Sequence, residues 1–334
     1  MISESENHSQ LEIGGRSLKR YLLPLFFLLL VITSLFIGVQ SIPLTDIFNL
    51  SETQKLVLWS TRIPRTVSLV IAGATASVCG LIMQHLTQNK FVSPTTAGTA
   101  DSARLGILIA MIFFPNSSSI MRSFVAFIFA FIGTMVFVQL INRLPQKSNV
   151  MVPLIGMMFG NIIGSIVTFF AYQLEIIQNM SSWLQGNFST ITRNGYELIY
   201  LSVPLLIIAS LYAYQFTLAG MGKDIATSVG MNYTMIQMGG LIIVSLASSV
   251  LLVTVGNLPF LGIVIPNLVS LYAGDQMKKT LWPTALCGSL FLIGCDILSR
   301  TIIPPYEVPV SLIVGIIGSL AFIGLLVRGT KSHA

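Results

Sequence analysis

Charged side chains are scarce in this sequence. Only 9% of its 334 residues are Asp, Glu, Lys or Arg, whereas 54% are hydrophobic. A soluble globular protein carries about 25% charged residues, and a soluble core cannot hide this much apolar surface. The composition therefore excludes an ordinary soluble domain and predicts a polytopic membrane protein.

The sequence is also poor in residues that build metal, disulfide and nucleotide sites. Its three cysteines, Cys79, Cys287 and Cys295, lie inside apolar runs, which favours packing over a disulfide framework or metal ligation. We predict no metal site and no cofactor. No G-x-x-x-x-G-K-[ST] loop is present, and the nearest string, GMGKD at 220–224, lacks the spacing and the Ser or Thr that would hold magnesium. The chain is not predicted to be an enzyme, so any ATPase that drives it is another polypeptide.

Acidic residues are nearly missing from the apolar runs. Ion-coupled carriers place ionisable groups in mid-membrane, but Asp296 is the only acid inside a clear run and lies near its end. Arg300 follows four residues later, so the two side chains can pair on one helical face. An intrahelical structural pair and a functional role are both open. An ion-coupled secondary carrier is the alternative to an ATP-driven permease, with the weaker support.

Long apolar runs dominate the rest of the chain. A transmembrane helix needs about 20 predominantly apolar residues. Eight runs qualify clearly, at 21–39, 66–83, 120–141, 150–172, 198–216, 234–255, 281–299 and 308–327. Two are weaker, 97–114 with Asp101 and Arg104 at its start and 258–273 with Pro266 inside. The sequence predicts an all-α polytopic membrane protein with about ten transmembrane helices. The predicted domain organisation is a polar cytoplasmic tail at 1–20, one transmembrane domain at 21–328 and a cytoplasmic tail at 329–334.

Basic residues in the connections predict the orientation. With a cytoplasmic N-terminus, 12 of the 18 basic residues lie inside: Arg16, Lys19, Arg20, Lys90, Arg104, Arg143, Lys147, Lys223, Lys278, Lys279, Arg328 and Lys331. The other 6 lie outside: Lys55, Arg62, Arg65, Arg122, Arg193 and Arg300. Both tails are thus expected in the cytoplasm. Arg62 and Arg65 then face outward, where lipid phosphates or a protein partner could meet them.

Two glycine patterns suggest contact surfaces. The fifth run contains GMMFGNIIG, in which Gly156, Gly160 and Gly164 share one helical face. Small residues at this spacing let helices approach closely in lipid, either within the chain or at a dimer seam. The connection 217–233, TLAGMGKDIATSVGMNY, is read as two short helices around glycines. It is either an ordinary loop or a docking element for a cytoplasmic partner.

Three stretches resemble the signature of the FecCD-type permeases. They are RIPRTVSLVIAGATASVCGLIMQHLTQNKFVSPTTAG at 62–98, AGMGKDIATSVGMN at 219–232, and the block from GNLPFLGIVIPN to LLVR at 256–328. Each motif is loose alone, but their order and spacing together are specific. The family comprises membrane subunits of bacterial ABC importers for iron–siderophores, haem and vitamin B12.

The resemblance implies a type II ABC importer permease fold in the bacterial cytoplasmic membrane. The implied partners are cytoplasmic ABC ATPase subunits, an extracytoplasmic siderophore-binding protein and a second permease subunit in a homo- or heterodimer, with no nucleic acid. The implied pathway lies at the dimer interface, lined by the fifth and tenth spans. On the fifth span this points to Met151, Gly156, Met157, Gly160, Asn161 and Gly164.

The resemblance also implies three further sites. Binding-protein glutamates would dock on Arg62, Arg65 and Arg300. The ATPase coupling loop would use Gly220, Gly222, Lys223, Asp224, Ala226 and Gly230. An inner gate would include Pro145, Ser148 and Asn149, in the connection that leads into the fifth span.

The chain departs from the family pattern at two places. It has Asn89-Lys90-Phe91-Val92 where many members read NPLA, and Asn267 where many have His. NKFVSPTTAGT, SWLQGNFSTI and YEVP resemble the subgroup that imports catecholate iron–siderophores. We therefore expect a ferric siderophore as the cargo, with haem and vitamin B12 as alternatives.

Overall fold

The computed structural model describes residues 24–38, 51–144, 151–178, 180, 185–193 and 195–331. These residues form helices joined by short connections, and the described part contains no β-strand beyond one isolated bridge between Gln185 and Asn257. The helices are α1 Pro24–Phe36, α2 Glu52–Thr87, α3 Thr99–Phe113, α4 Ser119–Asn142, α5 Met151–Gln173, α6 Ser202–Leu211, α7 Ala213–Gly220, α8 Lys223–Ser228, α9 Tyr233–Thr254, α10 Leu261–Ala273, α11 Met277–Thr301 and α12 Val310–Lys331.

The helices follow the predicted spans in order. Six described helices, α2, α4, α5, α9, α11 and α12, are long and apolar enough to cross a membrane. The 197–211 segment and α7 make a seventh span if they are counted together, bent by 63° at the break. The shorter helices α1, α3 and α10 occupy the remaining three predicted positions. The predicted all-α polytopic fold is confirmed.

Close backbone contacts place α2 at the centre of the bundle. A Cβ on Gly73 would lie 2.5 Å from the Gly288 carbonyl oxygen of α11, and a Cβ on Gly80 would overlap Gly262 of α10. Glycine removes this clash, so the backbones touch. In the most apolar stretch of α2 72% of residues are buried, against 22% in α5 and in α12. The latter two helices therefore lie at the edge of the chain.

The start of α2 lies well before the predicted apolar run 66–83. The helix begins at Glu52 with a capping box between Ser51 and Gln54, so 52–61 is not a connection. It continues through Pro64 after a π-helical turn at Leu58–Arg62. Proline has no N–H to donate to the Ser60 carbonyl. The backbone N–H of Arg193 donates to that oxygen instead, at 3.0 Å.

The weaker predicted run 97–114 corresponds to α3. Residues 99–104 already belong to α3, and the Thr99 hydroxyl lies 2.7 Å from the Thr134 hydroxyl on α4. Arg104, counted above among the loop residues, is therefore a helical residue inside the bundle. The run 97–114 was a weaker prediction because these two charged residues, Asp101 and Arg104, interrupt its apolar pattern.

The bundle has two ends that carry different features. At the arginine end, defined by Arg62, Arg65 and Arg300, α1 ends and α2 enters its span. At the loop end, defined by α8, lie the C-terminus of α2 and the N-terminus of α11, linked by His85 and Asp275. The predicted inner gate residues Pro145, Ser148 and Asn149 lie outside the described residues.

Candidate docking and coupling sites

A buried carboxylate organises the arginine end. Arg65 of α2 donates through Nε and Nη2 to Asp296 Oδ1 of α11, at 2.9 and 2.7 Å. Arg300 donates through Nη2 to the other oxygen of Asp296. Asp296 is fully buried, and both of its oxygens are bonded. Charge-assisted bonds of this kind are the strong ones, so the carboxylate holds α2 and α11 together.

The other arginine donors hold the end of α1. Arg300 Nη1 donates to the carbonyls of Ser34 and Ile37, at 3.0 and 2.7 Å. Arg62 Nη1 donates to the carbonyls of Leu35 and Phe36, at 2.7 and 2.8 Å. The last carbonyls of a helix have no intrahelical partner, and basic side chains stabilise them. The two arginines thus cap α1 from neighbouring helices.

Glu307 completes the cluster beside an open cavity. Arg65 Nη1 donates to Glu307 Oε2 at 2.7 Å, and the Glu307 side chain is 21% exposed. A cavity of about 300 Å³ opens here and includes Arg62, Arg65, Arg300 and Glu307 in its lining. Three guanidinium groups and two carboxylates meet here, which leaves a net charge of +1 beside the cavity.

The structure brings together the three arginines that the sequence nominated for docking. It also contains the Asp296–Arg300 pair that their four-residue spacing allowed. Arg62, Arg65 and Arg300 are 6%, 8% and 8% exposed, so their contacts within the chain are extensive. No spacing or motif in the sequence predicts that Arg65 pairs with Asp296. Docking by the arginines stays a prediction.

The glycines of α5 divide into two groups. A Cβ on Gly156 would overlap the Thr96 carbonyl oxygen, and one on Gly160 would lie 2.5 Å from Asp101 Oδ2, whereas Gly164 meets nothing within 4 Å. The first two therefore pack within the chain. The side of α5 that this chain leaves uncovered, called its open side, includes Met157, Asn161 and Gly164. Further along the helix it carries exposed polar side chains, those of Ser165, Thr168 and Tyr172. Met151 is half-buried at the start of the helix.

The nominated coupling loop is compact. Gly220 ends α7, and the short helix α8 lies between Gly222 and Gly230, whose φ angles are +110° and +82°. Only glycine adopts such backbone angles without strain. Of the two short helices predicted within 217–233, one is α8, and the other corresponds only to the end of α7, which begins at Ala213. Ala226 is buried, while Lys223 and Asp224 are exposed.

An apolar stripe covers the outer face of this loop. Met221, Ile225 and Val229 follow each other at four-residue spacing and are 57%, 44% and 59% exposed. Ile225 and Val229 lie on one face of α8 because they are four residues apart, whereas Met221 precedes α8 on the other side of Gly222. An apolar stripe beyond the membrane-spanning helices indicates a protein contact surface.

Lys90 and Asn267, the two departures from the family pattern, make polar contacts at the loop end that the sequence did not predict. Lys90 pairs with Asp275 at 2.9 Å beside a cavity of about 460 Å³. Asn267 Nδ2 donates to the Lys90 carbonyl at 2.7 Å and to the Ile263 carbonyl at 2.8 Å. Where many FecCD-type sequences have His, this Asn ties α10 to the connection after α2. Among the described residues, no three His, Cys, Asp or Glu side chains are placed to hold a metal ion.

Comparisons with known proteins agree over almost the whole chain. A family model described as the FecCD transport family matches residues 26–328. The petrobactin import system permease YclN of Bacillus subtilis is 50% identical over 94% of this chain and 99% of that protein. The ferric-anguibactin permease FatD of Vibrio anguillarum is 41% identical over 92% and 98%. The petrobactin permease FatD of Bacillus anthracis is 38% identical over 99% and 98%.

A solved structure supports the fold. A metal-chelate type ABC transporter in an inward-facing conformation superposes with a TM-score of 0.79, covering 92% of this chain and 98% of that one. The two sequences are 21% identical, so this likeness concerns the fold alone.

Proposed function

Because the chain belongs to the FecCD transport family, we propose that it is the permease subunit of an ABC importer that carries a ferric siderophore into the cytoplasm. One observation carries the proposal. Three relatives named as siderophore permeases align with 92–99% of this chain at 38–50% identity. The finer part of the proposal is that the siderophore binds iron through catecholate groups.

Energy comes from separate ATPase subunits in this proposal. The sequence has no phosphate-binding loop of its own. The exposed apolar side chains of Ile225 on α8 and of Met221 and Val229 on either side of it support a docking surface for the ATPase. Gly222 and Gly230 fix the direction of α8, so a rigid element transmits the movement of the ATPase to α7 and α9. The loop end therefore faces the cytoplasm, and the arginine end faces outward.

The transport pathway runs between two permease subunits in this proposal. The edge position of α5 and α12 supports it, since both leave most of their apolar surface uncovered by this chain. Asn161, Ser165 and Thr168 make α5 partly polar on that open side. A polar stripe on a membrane helix favours a partner helix or water over lipid.

The cavity at the arginine end receives the binding protein. Its net positive wall suits acidic side chains, and guanidinium groups bind carboxylates in a planar, bidentate manner. Arg62 and Arg300 are held by their bonds to α1, and Arg65 by its bonds to Asp296 and Glu307. This fixed geometry before docking lowers the ordering cost of binding. Arg62, Arg65 and Arg300 thus combine a structural role with a docking role.

A growth experiment tests the proposed function. The gene is deleted from its native host, and growth on iron-limited medium is scored with a panel of ferric chelates: petrobactin, anguibactin, a hydroxamate siderophore and haem. We expect selective loss of growth on catecholate siderophores, restored by the intact gene. Unchanged growth on every siderophore, together with loss on haem, would assign the permease to haem instead.

A further inference from the structure

An ion pair in α3 lies against the proposed pathway helix. Arg104 Nη1 donates to Asp101 Oδ1 at 3.1 Å. The other oxygen of Asp101 faces Gly160 of α5, where an added Cβ would be 2.5 Å away. Glycine at position 160 therefore makes the room that this carboxylate occupies. Asn161, next to Gly160, belongs to the open side of α5.

Two neighbouring helices locate this pair within the membrane. Gly160 lies nine residues into α5, which at 1.5 Å per residue is about 14 Å from the loop end of a helix about 35 Å long. Thr134, which hydrogen-bonds Thr99, lies eight residues from the loop end of α4, or about 12 Å. The hydrocarbon layer is about 30 Å thick. Both helices therefore place the start of α3 well inside it.

The pair is partly exposed at this depth. The side chains of Asp101 and Arg104 are 21% and 24% exposed. Arg104 Nε is buried and has no hydrogen-bond partner. Charged groups in hydrocarbon are costly and normally face water or a polar partner. The exposed side of the pair therefore borders a water-filled space or a polar partner and not lipid chains.

We propose that Asp101 and Arg104 form a charged station in the wall of the pathway, where Arg104 contacts the ferric chelate as it passes. This inference rests on the proposed function. Catecholate oxygens are deprotonated when they bind Fe(III), so such a chelate is anionic and suits a guanidinium. Asp101 holds Arg104 in position and weakens its attraction, so that the chelate is released and not trapped.

Water access gives the first test, and it needs no substrate. Arg104→Cys and Ile132→Cys are made in a chain whose three native cysteines are replaced by serine, and the assembled transporter is treated with a charged methanethiosulfonate. Ile132 is 53% exposed on α4, two residues from Thr134 and thus at similar depth. We expect modification at position 104 and none at position 132. No modification at 104, or equal modification at both, overturns the proposal.

Transport by point variants gives the second test. With ferric petrobactin as the probe, Arg104→Gln should lower uptake about tenfold, the effect of losing one charged contact, and Arg104→Lys should restore most of it. Asp101→Asn should raise occupancy of the chelate and slow its release. If the wild type takes up no ferric chelate, the proposed function fails. If the wild type transports and Arg104→Gln matches it, only the charged station fails.

Discussion

Arg65 and Asp296 are 231 positions apart in sequence, yet two hydrogen bonds of 2.7 and 2.9 Å join their side chains. The pair joins α2 to the C-terminal part of α11 through the fully buried carboxylate of Asp296. Arg300 donates a hydrogen bond to the second oxygen of that carboxylate. The arginine end is therefore a buried ion-pair network that joins α2 and α11, as well as a candidate docking site.

Asp296→Asn should destabilise the protein strongly. It leaves Arg65 and Arg300 buried without a countercharge, and breaking a buried ion pair from one side costs about 3–5 kcal/mol. Glu52→Gln is the matched control, because it removes a surface pair with Lys55 that is worth about 0–1 kcal/mol. Thermal unfolding of both variants in the same detergent measures the difference. Equal melting temperatures would show that the ion pairs of Asp296 contribute little to the stability of the protein.

Glu307→Gln should strengthen docking. The amide can still accept a hydrogen bond from Arg65, while the net charge beside the cavity rises from +1 to +2. A more positive cavity attracts an acidic partner more strongly and steepens the salt dependence. Affinity for the cognate binding protein, measured at two salt concentrations, should rise a few-fold at low salt. Glu197→Gln, an exposed change outside the cavity, serves as the control. Weaker binding by Glu307→Gln alone would contradict docking at this cavity.

Ile225→Glu should abolish assembly with the ATPase subunits. The substitution puts a charge into the exposed stripe of α8, where an apolar partner would have to desolvate it. Because Ile225 is exposed in this chain, the fold of the permease should not change. Thr227→Glu adds the same charge on another face of α8. Co-purification of the ATPase should be lost for Ile225→Glu and kept for Thr227→Glu, and the reverse pattern would move the contact elsewhere.

Two glycine substitutions in α5 should separate folding from pathway formation. Gly160→Ala should lower the melting temperature, since its Cβ meets Asp101 Oδ2. Gly164→Leu should leave the isolated permease stable, because nothing lies within 4 Å of that position, but it should impair permease dimerisation or transport. Melting curves and size-exclusion chromatography measure the two effects. A fully active, dimeric Gly164→Leu protein would exclude position 164 from the seam.

The apolar runs predicted most of the fold because each transmembrane helix must satisfy its own backbone. Even the weak runs at 97–114 and 258–273 correspond to α3 and α10. The predicted helix boundaries were less accurate where the backbone is irregular. The π-helical turn before Pro64 carries α2 beyond its apolar part, and nothing in the local composition indicates that extension.

The candidate sites were only partly predictable. The three arginines share one end because the topology requires it, but their partners depend on contacts between distant helices. Arg65 meets Asp296 and Glu307, and no sequence spacing connects them. Asp101 and Arg104 read as the edge of a loop because charges interrupt the apolar run. Their depth follows only from Gly160 and Thr134, on helices that come later in the chain.

Transport in a reconstituted system tests whether this chain is the permease of an ATP-driven importer for a ferric siderophore. The permease, its ATPase and its binding protein are incorporated into proteoliposomes with ATP on the side of α8, and uptake of radiolabelled ferric petrobactin is followed. For an ATP-driven importer, we expect accumulation that requires ATP and is lost with Ile225→Glu. Accumulation without ATP that follows an imposed ion gradient would contradict it, since the chain would then be an ion-coupled carrier.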